Sequence, residues 1–196
     1  MSIVTLVSGG LDSTLVACLA KEMGNTQYPL FINYGQRALE QEIAACRRAM
    51  QRLGVPAPVI ADLSGFGGLI RSGLTDKNLR IVEDAFTPGR NTLFLLMAAA
   101  YGHQVGADAV AIGLLHEDTS LFPDQTSAFL SAAESTLRFA IGRDIKVLAP
   151  LNGLVKQDVV ALAKAKGIDK TYSCHSGDDI PCGQCIACKE FQFEEN

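Results

Sequence analysis

The chain has 196 residues, a size that suits one large domain and leaves little room for two compact ones. Its formal net charge is −4 and the acidic residues are not gathered into blocks, so we expect no direct nucleic-acid binding, because contacts to phosphates need clustered basic residues. Residues 1–10 lack the basic leader of a signal peptide and no run of about twenty apolar residues occurs, which predicts a cytoplasmic protein without a membrane span.

Short β-branched runs alternate with helical patterns along the chain. Strands are predicted at 2–7, 30–33, 59–63, 109–113 and 146–148, and helices at 11–23, 37–53, 92–104, 125–141 and 156–166. Residues 64–88 show no persistent period, and they predict a lid, a binding loop or a partly disordered segment. This alternation is typical of an α/β fold with a parallel sheet flanked by helices, which binds ligands beyond the carboxyl ends of its strands.

The sequence SGGLDS joins the first predicted strand to the first predicted helix. Its glycines allow close backbone approach, and the helix start offers free N–H groups at the positive end of the helix dipole. The hydroxyls of Ser8 and Ser13 add donors, and Asp12 can hold Mg²⁺ against phosphates. The segment therefore predicts a pyrophosphate site, formed by Ser8, Gly9, Gly10, Leu11, Asp12 and Ser13. It lacks the lysine of a Walker A loop and the third glycine of the dinucleotide fingerprint.

Four of the six cysteines lie close together near the C-terminus: Cys174, Cys182, Cys185 and Cys188. In a reducing compartment such spacing indicates a metal site rather than disulfides. Four thiolates suit the closed tetrahedral geometry of structural zinc, while an iron–sulfur cluster or free thiols are the alternatives. We predict a zinc-binding segment at 174–188 within one domain that spans 1–196.

The SGGLDS segment resembles the loop of the PP-loop ATP pyrophosphatases, which split ATP between its α and β phosphates and leave an adenylylated substrate. Together with the four cysteines, it makes nearly the whole chain similar to the 7-cyano-7-deazaguanine synthase (QueC-like) family. The resemblance implies a Rossmann-like adenine nucleotide alpha hydrolase fold, a homodimer, and the use of ATP, Mg²⁺ and Zn²⁺. The implied reaction converts 7-carboxy-7-deazaguanine and ammonia, through adenylylated intermediates, to the nitrile of the queuosine pathway.

The same resemblance implies roles for individual residues. Nucleotide-binding residues outside the SGGLDS segment would be Tyr34, Arg37, Arg90, Asn91 and Gly113. The candidate catalytic residues, which would stabilise charge on the phosphates, are Asp12, Arg90 and Lys156. The candidate substrate-binding residues are Glu117, Asp118, Phe122 and Asp124. Carboxylates suit the amidine edge of a guanine-like base because they accept hydrogen bonds from adjacent N–H donors.

The sequence departs from the family pattern after Asp124. Gln125 and Thr126 stand where the family has cysteine and arginine, and Phe122 replaces a tyrosine. This departure leaves open a paralogue that adenylylates a related carboxylate and transfers it to another amine, for example a protein amine in an antiviral conjugation system. Two other classes are a tRNA sulfurtransferase, which the acidic composition disfavours, and a non-catalytic nucleotide-binding protein, which the intact SGGLDS segment disfavours.

Overall fold

The computed structural model describes residues 1–191, and a five-stranded parallel sheet forms its centre. The strands are β1 Ser2–Leu6, β2 Thr26–Asn33, β3 Val59–Asp62, β4 Ala109–Ala111 and β5 Lys146–Leu148. Their order is β3-β2-β1-β4-β5, and every neighbouring pair is parallel. The strand order reverses at β1, so the crevice beyond the carboxyl ends of β1 and β4 is where such a sheet binds its ligand.

The helices that the structure describes are α1 Leu11–Glu22, α2 Leu39–Leu53, α3 Ser64–Leu69, α4 Arg90–Val105, α5 Ser127–Ile141, α6 Lys156–Ala165 and α7 Ile186–Phe191. Short 3₁₀ turns lie at Glu117–Thr119 and Pro123–Gln125. The predicted α/β class with a parallel sheet is confirmed. Within the described residues, no helix combines the length and the apolar character needed to cross a membrane.

Three elements differ from the prediction: β2, α3 and α7. β2 begins at Thr26 rather than at residue 30, since its first half pairs along the whole of β1. Pro29 has no N–H to donate to a neighbouring strand. It lies opposite Thr5 of β1, and β3 pairs with β2 only from Leu30 onward, so Pro29 has no β3 partner. α3, in the segment 64–88, and α7, which begins at Ile186 within the cysteine-rich segment, were not predicted.

Alternate residues of the central strands point to opposite helical layers. Val4 and Leu6 of β1 pack with α4 and α5 on one face of the sheet. On the other face, Ile3 packs with α1 and α6, and Phe31 of β2 packs with α2. Burying a large apolar side chain of this kind contributes about 1.5–3 kcal/mol, so both layers hold the carboxyl ends of the strands in place.

Residues 64–88 fold back over the carboxyl end of the sheet. After α3, the hydroxyls of Ser72 and Thr87 lie 2.7 Å apart and close the segment on itself. Leu74 and Ala85 are buried and belong to the wall of the cavity described below. Of the predicted alternatives, the structure therefore supports a loop that covers the ligand site.

Candidate functional site

A cavity of about 310 Å³ opens beyond the carboxyl ends of β1, β2 and β4. This volume is at the lower end of the range for small-molecule sites, about 300–1,000 Å³. Its walls come from parts of the chain that are far apart in sequence: the loop after β1, the start of α4, the start of α6 and the C-terminal segment from Tyr172 to Glu190. The cavity thus occupies the position that the strand order gives to a ligand.

The loop between β1 and α1 has a backbone that only glycine permits at its second position. Gly9 has a φ of +85°, and a Cβ atom there would lie 2.6 Å from the backbone N of Cys46 and the backbone O of Glu42. The Ser8 amide donates to Ser13 Oγ at 3.1 Å, and the two serine hydroxyls are also 3.1 Å apart. Two hydroxyls therefore lie beside the N-terminus of α1, where the helix dipole favours an anion.

Lys156 joins two carboxylates at the edge of this loop. Its Nζ lies 2.8 and 3.0 Å from the carboxylate oxygens of Asp12 and 3.0 Å from Oε2 of Glu190. Burial disfavours the charge of Lys156, but the two carboxylates outweigh this effect and raise its pKa above the ordinary value. Lys156 is therefore charged at neutral pH. Glu190 was not predicted because nothing in the sequence indicates that the short helix after the cysteines brings it to Lys156.

Arg90, the first residue of α4, places its guanidinium over two aromatic rings. It lies 5.8 Å from the ring centroid of Tyr34 and 5.9 Å from that of Phe94. Its buried Nε has no hydrogen-bond partner among the described residues. A buried donor without a partner is costly, so this nitrogen is available to an acceptor on a ligand.

Glu42 brings a further carboxylate to the cavity wall. Its Oε2 accepts a hydrogen bond of 3.0 Å from Gln36 Nε2. Burial raises the pKa of Glu42 from 4.5 to about 7, although the hydrogen bond from Gln36 and the charge of Arg90 act in the opposite direction. The sequence analysis did not select Glu42, but a signal was present, because it shares one face of α2 with the buried Ala45 and Cys46.

Most of the predicted site residues line the cavity: Ser8, Gly10, Leu11, Asp12, Ser13, Tyr34, Arg90, Asn91, Gly113, Phe122 and Lys156. Five predicted residues are not part of its lining: Gly9, Arg37, Glu117, Asp118 and Asp124. Gly9 shapes the loop backbone instead. Arg37 braces the segment over the sheet, because its Nη1 donates to the carbonyl of Gly73 and its amide donates to that of Leu74.

The three acidic residues of the loop after β4 make local contacts. Glu117 Oε2 accepts from the amide of Ser127 at the start of α5, and the pKa of Glu117 is lowered by this bond. The side chain of Asp118 is 85% exposed and lies beside His116. Asp124 accepts from the Asn91 amide through its carboxylate and from Asn91 Nδ2 through its backbone carbonyl. The structure thus uses Glu117 and Asp124 to hold helix starts.

Gln125 and Thr126, where the chain departs from the family pattern, also shape the local backbone. Gln125 Oε1 accepts from the amides of Leu121 and Phe122 at 2.9 and 3.0 Å. Thr126 Oγ1 accepts from the amide of Phe129 at 3.2 Å and caps α5. Both side chains fix the loop that carries Phe122 to the cavity.

The four clustered cysteines form a candidate metal site, and their sulfur atoms all lie within 4.8 Å of one another. Backbone amides donate to these sulfurs, for instance from Cys182 to the Cys174 sulfur at 3.3 Å and from Cys188 to the Cys185 sulfur at 3.4 Å. Such bonds stabilise and orient thiolates around a cation. Sulfur ligands about 2.3 Å from one ion fit this spacing, so the donor set suits a single zinc-type ion.

The segment that leads into the cysteines is attached to the loop after β1. The amide of Tyr172 donates to the carbonyl of Gly9 at 2.9 Å, and the amide of Leu11 donates to Ser173 Oγ at 3.3 Å. His175 extends this contact into the cavity. Burial and the nearby cations Arg90 and Lys156 lower its pKa to about 4. The cysteine-rich segment is therefore part of the cavity wall.

Comparison with known proteins identifies relatives along nearly the whole chain. A sequence model of the family described as "Queuosine biosynthesis protein QueC" matches residues 2–193. A protein of Nitratiruptor sp. named 7-cyano-7-deazaguanine synthase is 35% identical, with 96% of this chain and 91% of the relative covered. A protein of Azoarcus sp. with the same name is 37% identical, with 95% and 88% covered.

Solved structures with the same fold have much lower identity. The U34-tRNA thiolase NcsA from Methanococcus maripaludis, determined with its [4Fe-4S] cluster, superposes with a TM-score of 0.58 at 16% identity, and 93% of this chain and 61% of NcsA are covered. A 4-thiouridine synthetase in complex with RNA and ATP gives 0.54 at 19% identity, with 88% and 44% covered. Identities this low show the fold alone, and they agree with the expected α/β arrangement of a parallel sheet flanked by helices.

The buried carboxyl of Glu42 predicts a pH-dependent difference in stability. Folding must keep Glu42 neutral up to about pH 7, whereas it ionises near pH 4.5 in the unfolded chain. The loss of folding free energy caused by burying Glu42 is absent below about pH 4.5, grows between pH 4.5 and 7, and is constant above about pH 7. Glu42→Gln should therefore raise the free energy of unfolding by on the order of 2–3 kcal/mol at about pH 8 and by little at about pH 4.

Urea denaturation of both chains at the two pH values measures this difference. The matched control is Glu40→Gln, which changes an exposed glutamate in the first turn of the same helix. A Glu42→Gln effect that is the same at both pH values would contradict the burial of an ionisable carboxyl at this position.

Proposed function

We propose, since the chain belongs to the QueC family of queuosine biosynthesis proteins, that it uses ATP to convert 7-carboxy-7-deazaguanine and ammonia to 7-cyano-7-deazaguanine. Members of this family are ATP-dependent ligases. The observation that carries the proposal is the loop Ser8–Ser13, whose hydroxyls and helix start face the cavity beside the pair Asp12 and Lys156. This arrangement suits the pyrophosphate part of ATP.

The binding of ATP would redistribute the charges of the site. Mg²⁺ prefers oxygen ligands and neutralises phosphate charge, and Asp12 offers a carboxylate beside the loop for it. Lys156 would then turn from Asp12 towards phosphate oxygens while Glu190 continues to hold it. The ribose and adenine would lie against Gly113, which follows β4 and adjoins Asp12 and Ser13 of the loop.

The proposed reaction uses two molecules of ATP for each nitrile. A carboxylate oxygen of the substrate attacks the α-phosphorus, pyrophosphate leaves, and the acyl adenylate is formed. Ammonia attacks the acyl carbon, and AMP departs with the former carboxylate oxygen. The amide oxygen then attacks the α-phosphorus of a second ATP and a second pyrophosphate leaves, after which loss of AMP and protons gives the nitrile. Negative charge develops on phosphate oxygens in each step, so Arg90 and Lys156 are assigned to stabilise it.

We assign Zn²⁺ to the four thiolates as a structural ion. All four positions of its tetrahedron are filled by protein, so it has no open position for a reactant. Its contribution would be indirect, because the same segment supplies Tyr172 and Ser173 to the loop after β1 and Glu190 to Lys156. On the family resemblance we also propose a cytoplasmic homodimer, each chain forming one domain that includes the zinc-binding segment.

The proposed activity is tested by incubating the protein with Mg-ATP, ammonium and 7-carboxy-7-deazaguanine and measuring AMP and the nitrile by mass spectrometry. We expect the nitrile with wild type and a loss of about 10²-fold or more in Asp12→Asn, because that change removes the charge beside the phosphates. The control is Asp158→Asn, an exposed carboxylate in the first turn of α6, which should retain activity.

Two outcomes would contradict this function. Accumulation of the adenylate or the amide without nitrile would indicate a different amine acceptor, as in a conjugating paralogue. Absence of AMP from folded, zinc-loaded protein would exclude 7-carboxy-7-deazaguanine as the carboxylate that is activated.

The metal assignment makes a separate prediction. Elemental analysis should find about one zinc per chain, and Cys185→Ser should remove it and lower both the melting temperature and the affinity for ATP. The affinity should fall because the cysteine-rich segment holds Gly9 and Leu11. Cys18→Ser, which lies outside the cluster, is the control and should keep the zinc. Iron and inorganic sulfide in place of zinc would contradict the assignment.

A further inference from the structure

We propose that Glu42 recognises the amidine edge of the deazaguanine substrate and thereby determines specificity for a 2-amino base. The inference rests on the proposed function and deepens it. It replaces the sequence-based assignment of this role to Glu117, Asp118 and Asp124.

Few carboxylates face the cavity. Among the residues that the structure describes, the cavity lining contains Asp12, Glu42 and Glu190 as its acidic side chains. Asp12 and Glu190 both contact Lys156 beside the phosphate loop. Glu42, on α2, has no ion pair within 4 Å among the described residues, and its carboxylate bonds to Gln36 rather than to Lys156. It is therefore the cavity carboxylate available to a neutral hydrogen-bond donor.

The Glu42 carboxylate is oriented by Gln36. Gln36 Nε2 donates both to Glu42 Oε2 and to the carbonyl of Ile32, while Gln36 Oε1 accepts from the Tyr34 amide. The amide group of Gln36 is thus held by the backbone at the end of β2, and it holds the carboxylate in turn. In its ionised form Glu42 has about four acceptor sites, so one bond from Gln36 leaves both oxygens able to accept from a ligand.

The donors and acceptors of the substrate's base match those of Glu42 and Arg90. A 7-deazaguanine edge presents one acceptor, the O6 carbonyl, followed by two donors, N1–H and the 2-amino group. The complementary wall needs one donor and two acceptors. Glu42 supplies two carboxylate oxygens, and Arg90 supplies a buried Nε donor that has no partner among the described residues. Glu42 and Arg90 both line the cavity, and the Arg90 guanidinium lies over the ring of Tyr34, whose amide donates to the same Gln36 that holds Glu42.

The surroundings of Glu42 give these hydrogen bonds their discriminating power. Tyr34, Phe94 and Leu74 contribute apolar surface to the same cavity lining. A bound ligand that lacks one donor leaves a carboxylate oxygen of Glu42 without a hydrogen-bond partner. Water cannot replace that hydrogen bond inside the complex, so binding is weaker. A base without the 2-amino group should therefore bind less well.

The test compares 7-carboxy-7-deazaguanine with its 2-deamino analogue in the AMP-release assay. For wild type we expect the KM of the analogue to be about 10- to 100-fold higher. In Glu42→Gln, the KM of the natural substrate should rise by a similar factor, the preference between the two bases should fall to about threefold or less, and the KM of ATP should be unchanged. Glu40→Gln, an exposed change on the same helix, should retain the wild-type preference.

Two further controls keep the test decisive. Glu42→Asp retains a carboxylate and should retain a preference for the 2-amino base, so it separates the carboxylate from the packing of α2. Wild type that releases no AMP with 7-carboxy-7-deazaguanine would overturn the proposed function itself. Active wild type together with a Glu42→Gln variant that still discriminates fully between the two bases would overturn the role of Glu42 alone.

Discussion

The close backbone contact at Gly9 is the constraint on which the site depends. A side chain at this position would collide with the backbone of α2 at Glu42 and Cys46, so α2 can pack against the loop only because the residue is glycine. The carbonyl of Gly9 accepts from Tyr172, which begins the C-terminal wall. One residue therefore brings together the phosphate loop, the helix that carries Glu42 and the segment that carries the cysteines.

The charged side chains of the cavity are placed so that a ligand can replace their present ion-pair partners. Lys156 is shared by two carboxylates, and Arg90 covers aromatic rings while its Nε has no partner among the described residues. An anionic ligand can take over Lys156, with Mg²⁺ replacing it at Asp12, without leaving a buried charge uncompensated. This matters because a buried charge that loses its partner costs several kcal/mol. Glu42 bonds to Gln36 rather than to Lys156, and it is the carboxylate that we assign to the base.

The parts of the site that follow an element of regular structure could be predicted from the sequence. The SGGLDS loop follows a buried strand, and the spacing of the four cysteines predicts a metal site whatever the fold. Glu42 and Glu190 could not be assigned this way, because their roles depend on which helix packs against the cavity. Glu117 and Asp124 were assigned to the substrate from the resemblance, whereas their contacts to Ser127 and Asn91 are set by how the loop after β4 meets α5 and α4.

The central claim, that the enzyme activates its substrate by transfer of carboxylate oxygen to AMP, is tested most directly with 7-carboxy-7-deazaguanine labelled with ¹⁸O in its carboxylate. The account predicts that the acid oxygen is found in the phosphate of the first AMP and the amide oxygen in the second, so that each nitrile leaves two labelled AMP molecules. Label in inorganic phosphate, or unlabelled AMP formed together with the nitrile, would contradict adenylylation.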